Sequence, residues 1–157
     1  MSKPPSVLFV CLGNICRSPL AEAAFRQEAA RVGVEVEAES AGTGRWHIGE
    51  APDRRAQAVA KRHGIDISAY RGRLVSREDF HRFTHIVALD PDNLRVLHAL
   101  SPADATAEVS LLLDHVPGRE GEAVSDPYYG DLSQFEETWA DVALGSAALL
   151  RKLAGGS

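Results

Sequence analysis

The first thirty residues constrain the fold most. An apolar run, "VLFV" (7–10), leads through the short turn "CLGNICRS" (11–18) into "PLAEAAFRQEAAR" (19–31), which is rich in strong helix formers. Ser18 or its neighbour is the expected N-cap, with Pro19 in the first turn, where a missing N–H costs nothing. The same order recurs along the chain. The β-rich runs "VEVEAES" (34–40), "THIVALD" (84–90) and "VSLLLD" (109–114) are separated by segments of helical periodicity. This alternation predicts an α/β fold, a four-stranded parallel sheet with about five helices on both its faces. Near the other end, Ser133 and Glu136 form an expected capping box. It precedes a mostly apolar stripe of Phe135, Trp139, Val142, Ala143, Ser146, Leu149, Leu150 and Leu153, the pattern of a docked terminal helix.

Composition bounds the partners. The 157 residues, 45% of them hydrophobic, fit a single domain over 1–157 able to bury roughly two-thirds of its unfolded surface, with 153–157 expected as a frayed tail. Seventeen basic against 22 acidic side chains give a net charge of -5 with no long run of either sign. That argues against nucleic acid or a membrane surface as partner, so an anionic substrate needs a local positive site. No apolar run approaches the ~20 residues of a membrane span, and "MSKPPS" (1–6) lacks the apolar core of a signal peptide, which makes a cytoplasmic location the expectation. Cys11 and Cys16 are too close in sequence to staple a fold and are expected to be reduced.

In open parallel sheets, ligands bind beyond the carboxyl ends of the strands. Four segments lie there: "CLGNICRS", "AGTGRWHIGEAPD" (41–53), "DPDN" (90–93) and "DPYYGD" (126–131). The first has the spacing C-x5-R, from Cys11 through Leu12, Gly13, Asn14, Ile15 and Cys16 to Arg17, with Ser18 at the start of a helix. Successive loop amides and a helix N-terminus can surround one small anion, most naturally a phosphate. Gly13 and Asn14 are residue types that tolerate the positive φ such a loop requires. Arg17 adds a planar fork for two phosphate oxygens together. Positive surroundings of this kind favour a thiolate over a thiol. A thiolate beneath a bound phosphoryl group stands for in-line attack on phosphorus, giving a cysteinyl-phosphate while the amides and Arg17 hold the equatorial oxygens. Ser18 can donate a hydrogen bond to that sulfur. The nucleotide-binding pattern G-x-x-x-x-G-K-[ST] is absent, and the chemistry calls for neither metal nor cofactor. His81 and His85, with no third ligand nearby in sequence, read as a solvated surface pair.

The stretch "VLFVCLGNICRSPLAEA" resembles the N-terminal signature of the low-molecular-weight protein tyrosine phosphatases. The resemblance continues in order through "SAGT", a tryptophan-containing loop, "KRHGI", "ALDPDNL" and "DPYYG", and so covers nearly the whole chain. It implies a flavodoxin-like fold and a hydrolase acting on phosphotyrosine in proteins, and on small aryl phosphates, with inorganic phosphate as product. It further implies Cys11 as nucleophile, Arg17 as the phosphate-binding arginine, Ser18 as the donor to the thiolate, Asn14 as the residue that orders the loop, and Asp126 as general acid. The chemistry asks for such an acid, because a phenolate with a pKa of about 10 leaves more easily when protonated. Tyr128 and Tyr129, with Trp46, are expected to wall a slot for an aromatic ring. Cys16 becomes a candidate redox partner of Cys11, able to form a reversible disulfide under oxidant; a buried filler cysteine is the other reading. Where many relatives carry a histidine, this chain has Tyr70, and the segment Tyr70 to Arg73 receives no role.

Two other functions fit parts of the pattern. An arsenate reductase on the same fold binds a similar oxyanion but, in thioredoxin-coupled forms, passes electrons to a downstream cysteine pair, and this chain has no cysteine after Cys16. A non-catalytic phosphotyrosine-binding module would keep the anion cradle yet need neither a nucleophile nor an acid.

Overall fold

A computed structural model describes residues 4–155. Its strand β1 (Ser6–Cys11) is buried at every position, as a nearly continuous apolar run must be when both faces of a sheet are covered. With β2 (Glu37–Gly42), β3 (His85–Ala88) and β4 (Glu108–Leu111) it forms one sheet in the order β2-β1-β3-β4, with all neighbours parallel. The side-chain period of two sends Val7, Phe9 and Cys11 to one face and Leu8 and Val10 to the other. On the first face lie α1 (Arg17–Val32), α2 (Arg54–Arg62) and α5 (Leu132–Gly155), with Phe9 and Phe25 edge to face at 5.5 Å. On the second lie α3 (Asp79–Arg82) and α4 (Pro91–Leu100), which bury Phe80 and Leu97. Fully burying a side chain of this size contributes about 1.5–3 kcal/mol, so both faces contribute to holding the sheet. This is the expected α/β class, in the flavodoxin-like strand order, with the topological switch between β1 and β3.

The boundaries differ from the sequence reading in physically simple ways. Gly33, with φ of 76°, ends α1, and Val34 and Val36 pack as a connecting turn, so β2 begins later and reaches Gly42 beside Cys11. The run expected as one strand over 109–114 stops at Leu111. Leu112–His115 is a 3-10 helix whose first two leucines are buried, and Leu112 lies so close to Gly145 of α5 that a Cβ there would stand 2.6 Å from its Cγ. Helix α1 begins at Arg17, so Cys16 takes the cap position expected of Ser18 or its neighbour and supplies no side-chain cap, while Ser18 falls inside the first turn with its hydroxyl on the Cys11 sulfur. The capping box of α5 is Asp131 with Gln134, not Ser133 with Glu136. The Asp131 carboxylate accepts from Ser133 and Gln134 amides, and Gln134 accepts from the Asp131 amide. Glu136 instead accepts from His63 and Arg62. The expected frayed tail is helical through Gly155, with Leu153 packed on the core; 156–157 lie outside the described residues, as do 1–3 of "MSKPPS". Among the described residues, no helix is long and apolar enough to cross a membrane.

Candidate active site

Cys11 closes β1 at the switch point, 3% exposed, and the chain then turns through Leu12–Cys16 into α1. Asn14 makes that turn possible: its φ is 59°, and among the described residues no other non-glycine has a positive φ. The turn brings the Asn14 amide N–H to 3.3 Å from Cys11 Sγ. Ser18 Oγ lies 3.1 Å from the same sulfur and accepts from Asn14 Nδ2 at 2.7 Å. The hydroxyl therefore keeps its one hydrogen for the sulfur, with the Ala41 carbonyl a longer alternative at 3.5 Å. The other end of the Asn14 carboxamide accepts from the Arg73 amide at 2.9 Å, which gives the segment left without a role its place as a support for the loop. Gly13 is not in the positive-φ region expected of it. Its missing side chain leaves room for the His47 ring, which a Cβ would meet at 3.3 Å.

Arg17 is 5% exposed yet held on fixed partners. Its Nη1 donates to Asp90 Oδ2 at 2.8 Å and to the Val124 carbonyl at 2.9 Å, while Nη2 turns toward Asp126 Oδ2, 3.8 Å away. Asp90 follows β3 and divides its carboxylate, Oδ1 capping α4 through the Asn93 amide and Oδ2 holding Arg17. The loop after β1 is thereby tied to the loop after β3. Sequence reasoning placed "DPDN" at this end of the sheet without giving Asp90 a task; its position just beyond a strand, ahead of a proline, was the available signal.

Above the loop lies a cavity of about 460 Å³. Its floor runs from Cys11 to Arg17, and Trp46, Asp126, Tyr128 and Tyr129 wall it, so the predicted residues converge; Ser18 stands behind the sulfur instead of lining the space. Trp46 is 69% and Tyr129 97% exposed, and large aromatics left in water call for an explanation by ligand or partner. Tyr128 and Tyr129 meet edge to face at 4.9 Å. The Asp126 side chain is 52% exposed, with Oδ1 accepting from the Tyr128 amide at 3.1 Å. His47, which sequence reasoning passed over, joins the wall and faces Glu50 at 3.2 Å.

Both cysteines are free and buried. Burial foremost, then the nearby Asp53 and Cys11, push the Cys16 thiol far above its ordinary pKa, so it stays protonated. Tyr70 packs against the main core, and burial raises its phenol to about 12. His81 and His85 are not a pair: His81 meets Asp104 at 3.0 Å, and His85, only 16% exposed and so not solvated as expected, meets Glu108 at 3.3 Å.

A family model of low molecular weight phosphotyrosine protein phosphatases matches residues 6–156. The chain belongs to that family. A Bacillus subtilis relative of this phosphatase family, the low molecular weight protein-tyrosine-phosphatase YfkJ, is 42% identical over 150 residues, 94% of this chain and 95% of the relative. The crystal structure of YfkJ superposes with a TM-score of 0.90, covering 98% of this chain and 97% of that one at 40% identity. The human low molecular weight phosphotyrosine protein phosphatase is 41% identical over 94% of each chain. A Drosophila structure described as an arginine phosphatase is also similar, at 31% identity and a TM-score of 0.87 over 96% of this chain and 98% of that one. Membership thus fixes an enzyme family of phosphatases, within which the leaving group is a question for the cavity walls.

Proposed function

We propose that this chain hydrolyses phosphotyrosine in proteins, and small aryl phosphates, through a cysteinyl-phosphate on Cys11. The observation that carries the reading is the sulfur at the foot of an aromatic-walled cavity. Two donors, Ser18 Oγ and the Asn14 amide, stand at 3.1 and 3.3 Å from it, and Arg17 and Asp126 face each other at 3.8 Å. In the first step the Sγ–P bond forms as the P–O bond to the aryl group breaks, and Asp126 gives its proton to the departing phenolate oxygen. In the second, water attacks phosphorus, the Asp126 carboxylate takes its proton, and the thiolate leaves, stabilised by Ser18; inorganic phosphate is the product. Charge on the phosphoryl oxygens falls to the loop amides and Arg17, and the reaction is metal-independent on this reading.

Trp46, Tyr128 and Tyr129 offer ring faces and edges on which an aryl leaving group packs, which is what this reading assigns to them. The proposal takes 1–157 as one phosphatase domain, supported by the single sheet and the match over 6–156. It also takes a cytoplasmic location, which suits two reduced cysteines. Cys16 serves as redox partner: a peroxide oxidises Cys11 to the sulfenic acid and is itself reduced, and the Cys16 thiol forms the disulfide as its proton leaves with the sulfenic hydroxyl as water, a step slowed by the raised pKa of Cys16.

Phosphate release from a phosphotyrosine peptide, in chelator, tests the reading. The parent turns over, Cys11→Ser does not, and Asp126→Ala is slowed most with poor leaving groups. A phosphoarginine peptide in the same assay is the poorer substrate. Binding without turnover would favour the binding module, activity lost in chelator and restored by a metal would end the metal-free mechanism, and preference for phosphoarginine would reassign the substrate.

A further inference from the structure

The loop that carries Asp126 is held at both ends by different parts of the molecule. Its first end is tied to the sheet and α5. The Val124 amide donates to the Leu89 carbonyl at 2.8 Å, and Thr138 donates to the Ser125 carbonyl at 3.1 Å. Its second end is gripped by one side chain, Arg55, the second residue of α2. Nη2 donates to the Tyr128 carbonyl at 2.8 Å and Nη1 to the Gly130 carbonyl at 2.7 Å, so two carbonyls just beyond Asp126 close on one planar fork. The fork itself cannot drift. Nε and Nη2 hold the two oxygens of Asp53 at 3.0 and 2.9 Å, and the guanidinium lies 4.7 Å from the centre of the Phe135 ring. Asp53 caps α2 and donates its own amide to the Ile15 carbonyl at 2.9 Å, in the middle of the phosphate loop. A single unit therefore runs from the nucleophile's loop to the acid's loop. Without it, the two carbonyls would turn to water and an exposed loop would lose its fixed path.

We infer that Arg55 is a positioning residue for the general acid: by clamping the Tyr128 and Gly130 carbonyls to Asp53, it fixes where Asp126 stands relative to Cys11. The inference rests on the reading of Asp126 as the acid. A lysine would not replace Arg55, because a point charge serves one carbonyl at a time and lacks the flat face that rests on Phe135.

The test compares kcat/KM for phenyl phosphate, a poor leaving group, with that for dinitrophenyl phosphate, a good one. This parameter covers only the steps through P–O cleavage, and the ratio of the two substrates cancels any loss of folded enzyme. Asp126→Asn lowers the ratio by about 10²-fold or more, the scale of a missing general acid. Arg55→Met, which keeps an apolar stem over Phe135, lowers it about tenfold, within the ~10²-fold that a misplaced group can cost. Arg55→Lys falls between the parent and Arg55→Met. Placed on top of Asp126→Asn, Arg55→Met changes the ratio by less than about twofold, because the group it positions is already gone. A merely structural role would lower both substrates alike, or add its full effect to Asp126→Asn; either result overturns the inference while the acid assignment stands. An unmoved ratio in Asp126→Asn itself would overturn the acid assignment, and this inference with it.

Discussion

The two ends of the one sheet use similar polar residues to opposite effect. At the amino ends, Ser6 and Thr84 bond each other three times, amide to hydroxyl in both directions and hydroxyl to carbonyl, at 2.8–3.0 Å. Beside them, Glu108 meets both His85 at 3.3 Å and Lys152 at 3.4 Å, and farther along β4 His115 rests on Ser110 at 2.9 Å. Every one of these groups faces its partner. At the carboxyl ends, Cys11, Arg17 and Asp126 also have partners, yet all three line the cavity. The contrast teaches that open space beside a polar cluster, more than residue type, separates a candidate reactive end from a closing one.

Changes at the carboxyl end should therefore act on rate and changes at the amino end on stability. The largest effect expected of a conservative change is that of Arg17→Lys, which gives up the fork that meets Asp90 and Val124 and, on the proposed mechanism, a phosphoryl group. It should lose on the order of 10²–10³ in kcat/KM, comparable to removing a preorganised oxyanion donor. A loss under about tenfold would mean that the fork geometry is unimportant. Next comes Ser18→Ala, which removes one of the two donors to the sulfur and leaves the side-chain Nδ2 of Asn14 without its acceptor. Hydrogen bonds to charged groups are worth about 1.5–3 kcal/mol, so kcat should fall roughly 10- to 100-fold. Unchanged kcat would show that the thiolate does not depend on that hydroxyl.

The smallest effect belongs to the amino end and is one of pH. Burial first, then Lys152, lowers the pKa of His115, while Asp114 and Glu108 oppose this and His85 reinforces it; burial likewise lowers His85, with Glu108 opposing. The folded chain thus binds fewer protons than the unfolded one below the ordinary histidine value of about 6.5, and stability is lost as pH falls through that region. The melting temperature should drop as pH falls through that region, and His115→Gln should flatten the dependence. Its kcat/KM should stay within about twofold of the parent, as for a surface or structural change away from the site. A larger catalytic change would break the division between the two ends.

How much of this was legible beforehand follows from sequence distance. The C-x5-R loop could be read because its spacing announces its chemistry locally, and strand-loop-helix order put it at one end of the sheet; Asp126 was legible only through the family resemblance, since an Asp-Pro turn by itself is an ordinary loop feature, and the aromatic walls were read from their place beside it. Asp90, Arg73 and Arg55 could not be given tasks, because their partners lie 59 to 75 residues away: Arg17 to Asp90, Asn14 to Arg73, Arg55 to Gly130. Ser18 or its neighbour reads as a cap because a hydroxyl at a helix start usually serves the backbone, whereas the helix begins already at Arg17, and a buried sulfur and Asn14 claim the Ser18 hydroxyl. Leu112 and Leu113 looked like strand because apolar runs do not reveal whether a sheet or a helix such as α5 will bury them.

The central claim is that the phosphoryl group passes through Cys11, and trapping it there tests this most directly. Acid-quenching the enzyme within its first turnover of an aryl phosphate, followed by mass analysis of its peptides, should find one phosphoryl group on the peptide holding Cys11. The first phenolate should be released in a burst matching the enzyme concentration. Turnover with neither burst nor adduct, or inversion at a chiral phosphorus in place of retention, would mean that water attacks phosphorus directly and that Cys11 is not the nucleophile.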